Sequence, residues 1–122
     1  MHECNRKIGT LGELLAEKYI KKQGYIIIEK NFSCKIGEID IIGKDKEHIA
    51  FIEVKSRYNT DYGRPAEAVN YNKKRKLYKA AEFYIMKNKL YNFSFRFDVI
   101  EILLKLDSNT YELRLIKDAF QI

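Results

Sequence analysis

The chain has 122 residues, of which 46% are hydrophobic and 33% charged, a balance typical of one globular domain spanning residues 1–122. The formal net charge of +6 is compatible with a polyanionic partner but also occurs in proteins that bind none. Cys4 and Cys34 lack zinc-like spacing, the N-terminus lacks an apolar signal segment, and no run approaches the roughly 18 apolar residues of a membrane helix. We therefore expect a cytoplasmic protein without structural zinc or a membrane span.

The first predicted element is a helix that begins near residue 11. The apolar residues at the spacing of one helical face are Leu11, Leu14, Leu15 and Tyr19. Thr10 and Glu13 have the spacing of a capping box, and Gly24 is expected to end the helix.

Three strand-like segments follow this helix. Residues 25–32 (YIIIEKNF) predict a buried strand, and residues 37–55 predict a hairpin with a polar turn at residues 44–47. If the turn is symmetric about Lys46 and Glu47, position 40 lies opposite position 53, and position 38 opposite position 55. That register sets two carboxylates, Asp40 and Glu53, against each other.

The second half of the chain predicts a loop, a helix and two strands. Residues 61–69 indicate a loop with a short helical turn at Pro65. A helix is expected from about residue 72, with an apolar face formed by Leu77, Ala80, Ala81, Tyr84 and Ile85. Residues 93–105 and 110–120 predict strands joined by a turn around residues 107–109. The order indicates a mixed sheet with helices packed on it, of α/β or α+β class.

The charges of the hairpin have two interpretations. In the first, Glu38, Asp40, Glu53 and Lys55 form a solvated face of cross-strand ion pairs, in which Lys55 balances Glu38. In the second, Asp40 and Glu53 hold a hard cation such as Mg²⁺ and Lys55 stands beside the attacking water of a phosphodiester hydrolase. The apolar residues around these charges favour partial burial, where each charge needs a partner.

Two helical residues have a similar ambiguity. Glu13 lies at the margin of the apolar face of the first helix, so it is either the capping-box glutamate or a third carboxylate of the site, bound through water. Lys73 lies four residues before Leu77, on the apolar stripe of the second helix. It either extends from the helix start to solvent or faces the site.

A basic run at residues 72–79 (NKKRKLYK) is either a solvated helix face or a surface that follows phosphates. Its first cations are Lys73, Lys74, Arg75 and Lys76. Arg57, Tyr62 and Arg64, in the loop after the Glu-x-Lys strand, would extend that surface. Arg96 and Asp98 share one face of the fourth strand, and we interpret them as a structural ion pair.

These motifs together resemble a known family over nearly the whole chain. They are GTLGELLAEKYIKKQGYIIIEKNFSCKIGEIDIIG (residues 9–43), FIEVKSRYNTDYGRPAEAV (51–69), the basic helix, FRFDVIEI (95–102) and KDAF (117–120). In order and spacing they look like the YraN-like family of small bacterial proteins. That family is similar in fold to Holliday-junction resolvases and the wider restriction-endonuclease-like PD-(D/E)XK nucleases.

The resemblance implies an α/β fold with a restriction-endonuclease-like αβββαβ core. It makes Asp40, Glu53 and Lys55 the counterparts of the nuclease signature and Glu13 the helix carboxylate of resolvases. Ile39 stands where the proline of the superfamily motif would be, a position that varies in the superfamily. Resolvases of this fold usually act as dimers, so the resemblance makes a homodimer an assembly to test.

The leading hypothesis is a metal-dependent nuclease acting on DNA, including branched or structured DNA. Asp40, Glu53 and the backbone carbonyl of Val54 would bind Mg²⁺ or Mn²⁺, with Glu13 in the outer shell and Lys55 beside the water. The alternatives are a nucleic-acid-binding module that does not cleave, and an interaction protein whose basic helix meets an acidic partner. The sequence leaves the choice between DNA and RNA open.

Overall fold

The computed structural model describes residues 2–58, 70–105 and 108–121, with the side chains of the first helix from residue 10 onward. The elements in chain order are α1 (His2–Lys22), β1 (Ile26–Ser33), β2 (Glu38–Asp45), β3 (His48–Tyr58), α2 (Tyr71–Asn88), β4 (Ser94–Lys105) and β5 (Thr110–Ile116). The predicted order of helix, three strands, helix and two strands is confirmed. Neither helix in these ranges is both long and apolar enough to span a membrane.

The five strands form one mixed sheet in the order β1-β2-β3-β4-β5. The pairs β1–β2, β2–β3 and β4–β5 are antiparallel, whereas β3 and β4 are parallel and α2 lies between them in the chain. Parallel neighbours need a crossover, and a helix is the usual one. The class is therefore α/β with an αβββαβ order followed by one further strand.

Each helix covers one face of the sheet. The core on one face joins Ala16 and Ile20 of α1 to strand residues such as Ile52 and Ile100. On the opposite face α2 packs through the predicted stripe, which includes Leu77 and Tyr84. The middle strands β3 and β4 are therefore buried on both faces, and a charge placed there loses water.

The first helix differs from its prediction in two respects. It begins at His2, so Thr10 is an interior residue and the predicted capping box is wrong. The buried stripe runs through Gly12, Ala16 and Ile20, whereas Leu11 and Leu14 are 44% and 57% exposed. Gly12 explains the rotation, because a Cβ there would lie 1.8 Å from Ser56 Oγ of β3. Small residues bring the helix axis closer to the sheet than a leucine stripe would allow.

The prediction of a buried β1 is also wrong. Phe32 is buried, but most of Ile26–Ser33 is exposed, including Ile26 and Ile28. The strand is exposed because it lies at the edge of the sheet and pairs only with β2.

The expected end of α1 is confirmed by Gly24, whose φ of +96° suits a residue without a Cβ.

The hairpin register agrees with the symmetric turn, and the pairs run from Asp45 and His48 to Ile41 and Ile52. The ladder then ends. Asp40 and Glu53 were predicted to be the next pair, but they are not backbone partners. Ile39 packs in the core on the α2 face, whereas Ile41 packs on the α1 face. Residues two apart normally share a face, so β2 twists at Asp40.

Asn70 precedes α2, and its side chain accepts the Lys73 backbone N–H at 2.9 Å. This cap satisfies one of the unpaired donors of the first helical turn. The predicted helical turn at Pro65, along with Tyr62 and Arg64, lies outside the described residues. The turn between β4 and β5 is described only from residue 108, and there Asn109 has the positive φ of a tight turn.

The Arg96–Asp98 ion pair is confirmed and belongs to a larger network. Arg96 Nε donates to Asp98 Oδ1 at 3.0 Å, and Arg96 Nη2 donates to Asp45 Oδ2 at 2.7 Å. Tyr25 Oη donates to Asp98 Oδ2 at 2.9 Å, and the Asp118 backbone N–H donates to Asp98 Oδ1 at the same distance. The network thus ties together the start of β1, the end of β2, the start of β4 and the chain after β5.

Candidate active site

Asp40 lies where β2 separates from β3. Its Oδ2 accepts the backbone N–H of Val54 at 2.8 Å, so a side chain takes over where the backbone ladder ends. The separation leaves room for a half-buried carboxylate between two strands that are otherwise apolar. The twist of β2 therefore determines where this carboxylate points.

Glu53 is the most constrained charge of the hairpin, with only 6% of its surface exposed. Its Oε1 lies 3.2 Å from Lys55 Nζ and 2.7 Å from Lys73 Nζ. Lys55 thus pairs with Glu53 and not with Glu38, the partner that the ion-paired-surface interpretation gave it. Lys73 faces the site, the second of the two orientations considered for it, so two lysines lie at Glu53.

The electrostatics follow from burial and crowding. Burial, the nearby Glu53 and, to a smaller extent, Glu13 raise the pKa of Asp40 to about 7 against the opposing Val54 hydrogen bond. Burial and the neighbouring Lys73 lower the pKa of Lys55. For Lys73, burial favours the neutral amine, but its hydrogen bond to Glu53 and the negative charges of Glu53 and Asp40 together outweigh that cost and raise its pKa. Asp40, Lys55 and Lys73 are therefore kept close to Glu53 although burial removes part of the water that would stabilise their charges.

Glu13 approaches the site from α1 without joining it directly. It is half-buried, and its pKa is raised by burial and by Glu53, against the opposing charge of Lys30. Across the described ranges, no three or more His, Cys, Asp or Glu side chains come close enough together to hold a metal ion. A direct metal set would thus consist of two carboxylates and backbone atoms, and Glu13 would act from further out.

A cleft of about 440 Å³ opens over these groups. Asp40 and Glu53 lie on its sheet side, and Asn70, Asn72, Lys73 and Lys76 of the α2 start form the opposite wall. The first turn of α2 contains no acidic residue. One wall therefore carries carboxylates and the other carries cations and amides.

The residues predicted to bind nucleic acid do not all lie together. Lys73 and Lys76 line the cleft, and Arg75 with Lys76 lines a neighbouring groove. Lys74 instead lies over the Phe120 ring, 5.3 Å from its centroid. The predicted loop position of Arg57 is wrong, because β3 continues to Tyr58 and Arg57 lies half-buried on it, two residues beyond Lys55. Arg64 lies outside the described residues.

The donor set suits a hard divalent cation. The half-buried Asp40 and the buried Glu53 repel each other, and burial together with that repulsion raises the pKa of Asp40. A cation between oxygen ligands would relieve the repulsion, and carboxylate and carbonyl oxygens are the ligands that Mg²⁺ and Mn²⁺ accept. To bind the metal, Glu53 would have to give up its ion pair with Lys55 or with Lys73.

Sequence reasoning found the two carboxylates and Lys55 but not the pairing of Glu53 with Lys73. A signal existed, because a lysine on an apolar helical stripe needs a buried partner. It also missed Gly12, whose contact with Ser56 brings the helix that carries Glu13 against β3.

The αβββαβ order, the mixed sheet and carboxylates at a strand separation define a chain with a restriction-endonuclease-like core. The uncharacterised protein family UPF0102 matches residues 12–102, and the chain belongs to that family. It is 57% identical over 123 residues to a UPF0102 protein of Clostridium botulinum strain 657, and 56% identical over 122 residues to those of Clostridium kluyveri and Clostridium tetani. Each of these matches covers the full length of both chains. The predicted YraN-like family is thereby confirmed.

Proposed function

We propose that this protein is a metal-dependent nuclease that hydrolyses phosphodiester bonds in DNA. The observation that carries the proposal is the convergence of Asp40, Glu53 and Lys73 in one cleft beside a basic helix, with Lys55 paired to Glu53. Buried charge is costly, so four ionisable groups brought together in a small domain suggest a functional role.

Asp40 and Glu53, with the backbone carbonyl of Val54, would hold Mg²⁺ or Mn²⁺, and Glu13 would bind through water. The cation would supply a water of lowered pKa and would neutralise charge on the phosphate. Asp40 is held in orientation by the Val54 N–H, which leaves its second oxygen to serve as a ligand.

Lys55 and Lys73 would stabilise the negative charge that develops on the phosphate. Both ammonium groups lie at Glu53 Oε1, one from the strand and one from the helix. Burial lowers the pKa of Lys55, which reduces the cost of releasing its proton, but a fixed positive charge suits the transition state better.

The test is single-turnover cleavage of labelled linear, flapped and four-way DNA, and of matching RNA, with Mg²⁺ or Mn²⁺. Asp40→Asn and Glu53→Gln should abolish cleavage. Lys55→Met should leave DNA binding intact and slow cleavage at least about a hundredfold, near 2.7 kcal/mol of transition-state stabilisation. Equal rates for Lys55→Met and wild type would remove Lys55 from the mechanism.

A second candidate is a nucleic-acid-binding module that does not cleave. The observation in its favour is that Glu53 Oε1 is already shared by two lysines, an ion cluster that is satisfied without metal. This module would bind the same DNA with equal affinity in chelator and in Mn²⁺. Failure of the wild type to cut any substrate in the panel would favour it over the nuclease.

A further inference from the structure

A second groove lies beside the candidate active-site cleft. It has a volume of about 440 Å³ and is lined by Ile36, Asn72, Arg75, Lys76 and Lys79, which we call the basic groove. Three of these five residues are cations, and among the described residues that line the groove none is acidic. Arg75, Lys76 and Lys79 are all exposed, so their charges are available to a ligand.

The geometry of α2 explains how the groove forms. Residues 72, 75, 76 and 79 have the spacing i, i+3, i+4 and i+7, so they occupy one stripe of the helix. The stripe begins in the first two turns of the helix, where Asn72 and Lys76 also line the cleft. The groove and the cleft therefore share a wall and form one continuous surface.

Ile36 provides the apolar component of this surface. It lies in the turn between β1 and β2 and is 41% exposed. Gly37 beside it packs against the α2 backbone, with its built Cβ position 3.5 Å from the Lys76 carbonyl oxygen. The turn is thus held against the basic stripe, and Ile36 faces the same groove as Arg75 and Lys79.

We propose that the basic groove binds the backbone phosphates next to the one held in the cleft, on the same nucleic-acid strand. Ile36 then contacts a sugar or base of that strand. This inference rests on the proposed function, because the cleft supplies the position of the central phosphate. A phosphodiester backbone fits both parts of the surface, since it offers regularly spaced anions together with apolar sugar and base faces.

An acidic protein partner fits less well. Its carboxylates would meet cations in the groove but would come against Asp40 and Glu53 in the adjoining cleft. A nucleic-acid strand can cross that boundary because a divalent cation bridges phosphate and carboxylate oxygens.

The electrostatic test compares two variants that lose the same charge from the same helix. Arg75→Gln/Lys79→Gln removes two groove cations. Lys74→Gln/Lys87→Gln removes one lysine that lies over Phe120 and one in the last turn of α2. Binding of a labelled single-stranded oligonucleotide is measured in chelator over a range of salt concentrations. We expect the groove variant to reduce the log–log salt slope by about 1.4, at roughly 0.7 per phosphate contact for single strands, and the control to leave it unchanged.

The apolar contact has a separate signature. Ile36→Ser should weaken binding several-fold at every salt concentration without changing the slope, because it removes no charge. Thermal melting of each variant checks that the fold is retained. A change of affinity for oligoglutamate as large as that for the oligonucleotide in the groove variant would overturn the assignment to nucleic acid.

The outcomes separate this inference from the nuclease proposal. Equal slope changes in both double variants, or no change in either, would overturn the groove even if the protein cleaves DNA. A selective slope change without cleavage in Mn²⁺ would support the groove and count against the nuclease. A wild type that binds no oligonucleotide in chelator or in Mn²⁺ would overturn the groove proposal.

Discussion

Glu53 carries two ammonium groups on one carboxylate oxygen, at 2.7 Å from Lys73 and 3.2 Å from Lys55. One carboxylate neutralises only one of the two positive charges, so the second must be balanced from elsewhere. Asp40 is the nearby candidate, and Lys73 is among the charges that lower its pKa against the larger effects of burial and Glu53. The four side chains therefore behave as one electrostatic unit.

Replacing Asp40 should stabilise the protein at neutral and alkaline pH. Its pKa is raised from 3.8 to about 7 in the folded state, so wild-type stability falls as pH rises through that interval. Asp40→Asn does not titrate and can still accept the Val54 N–H. In chelator we expect it to unfold at higher denaturant than wild type at pH 8, by about 1–3 kcal/mol, with the difference vanishing near pH 4.

Asp45→Asn is the matched control, and its expected effect on stability has the opposite sign. Its hydrogen bond to Arg96 lowers the pKa of Asp45, so the wild type gains stability above pH 4 and loses it as the pH falls below that value. Asp45→Asn should therefore be less stable than wild type at pH 7. A destabilised Asp40→Asn at pH 8 would contradict the raised pKa of Asp40.

Lys73 should compete with a divalent cation for Glu53. A metal bound to Oε1 must displace an ammonium that now lies 2.7 Å away. Lys73→Met should therefore tighten Mn²⁺ binding without DNA, by about tenfold or roughly 1.4 kcal/mol, as measured by calorimetry. Lys76→Met is the control, because Lys76 lines the same cleft without an observed ion pair to Glu53. Equal gains in both variants would indicate general charge repulsion rather than competition at one oxygen.

At the scale of elements, the contact between α1 and β3 determines how far Glu13 reaches. A Cβ at position 12 would lie 1.8 Å from Ser56 Oγ and 2.9 Å from Ser56 Cβ, distances that no rotamer of Ser56 relieves completely. The side chain of Ser56 also buries its hydroxyl without a hydrogen-bond partner among the described residues. The close contact between α1 and β3 therefore has a cost, because the buried Ser56 hydroxyl loses its hydrogen bonds to water without gaining one within the part of the chain that the structure describes.

Gly12→Ala tests that contact through the sign of its effect. In an exposed helix interior the change would stabilise by about 1 kcal/mol, since alanine has the higher helix propensity. Against Ser56 we expect destabilisation by roughly 1–3 kcal/mol instead, typical of overpacking. Ser56→Gly in the same chain should recover the stability lost to the clash, measured as the coupling in a double-mutant cycle of thermal unfolding. A stabilised single variant would show that α1 sits further from the sheet.

At the scale of the whole molecule, the Arg96–Asp98 network anchors the sheet on the face opposite Glu53. Asp98 is 0% exposed and is the Cα partner of Ile52, which packs on the α1 face, whereas the neighbouring Glu53 points toward α2. The network joins segments as distant in sequence as Tyr25 and Asp118. It supports the strands that carry the site without entering the site.

Asp98→Asn should lower the free energy of unfolding by about 2–4 kcal/mol, because it leaves Arg96 with only part of its buried partners. Chemical denaturation measures the loss. Lys105→Gln, which removes an exposed pair with Glu112, should cost about 0–1 kcal/mol. Below its melting temperature Asp98→Asn should keep the metal affinity of the wild type. A large drop in metal affinity in the folded variant would connect the network to the site.

The sequence by itself determined the features that depend on local residue patterns, namely the type and order of the elements and the register of the hairpin. Period-2 apolar strands, the helical stripe of α2 and the symmetric turn at Lys46 and Glu47 predicted the element order and the hairpin register. The carboxylates and Lys55 were also visible, because Glu53 and Lys55 lie two apart on one strand and the symmetric turn brings Asp40 to the adjacent strand.

The tertiary structure decided everything that depends on how closely elements approach. Gly12 turned α1 so that Leu11 and Leu14 face outward, and the twist at Asp40 replaced a backbone pair with a side-chain hydrogen bond. Helix packing also brought Lys73 to Glu53, twenty residues away in the chain, and left Lys74 over Phe120. A residue pattern specifies which side of an element is apolar, but only the packed distance between elements specifies which charges meet.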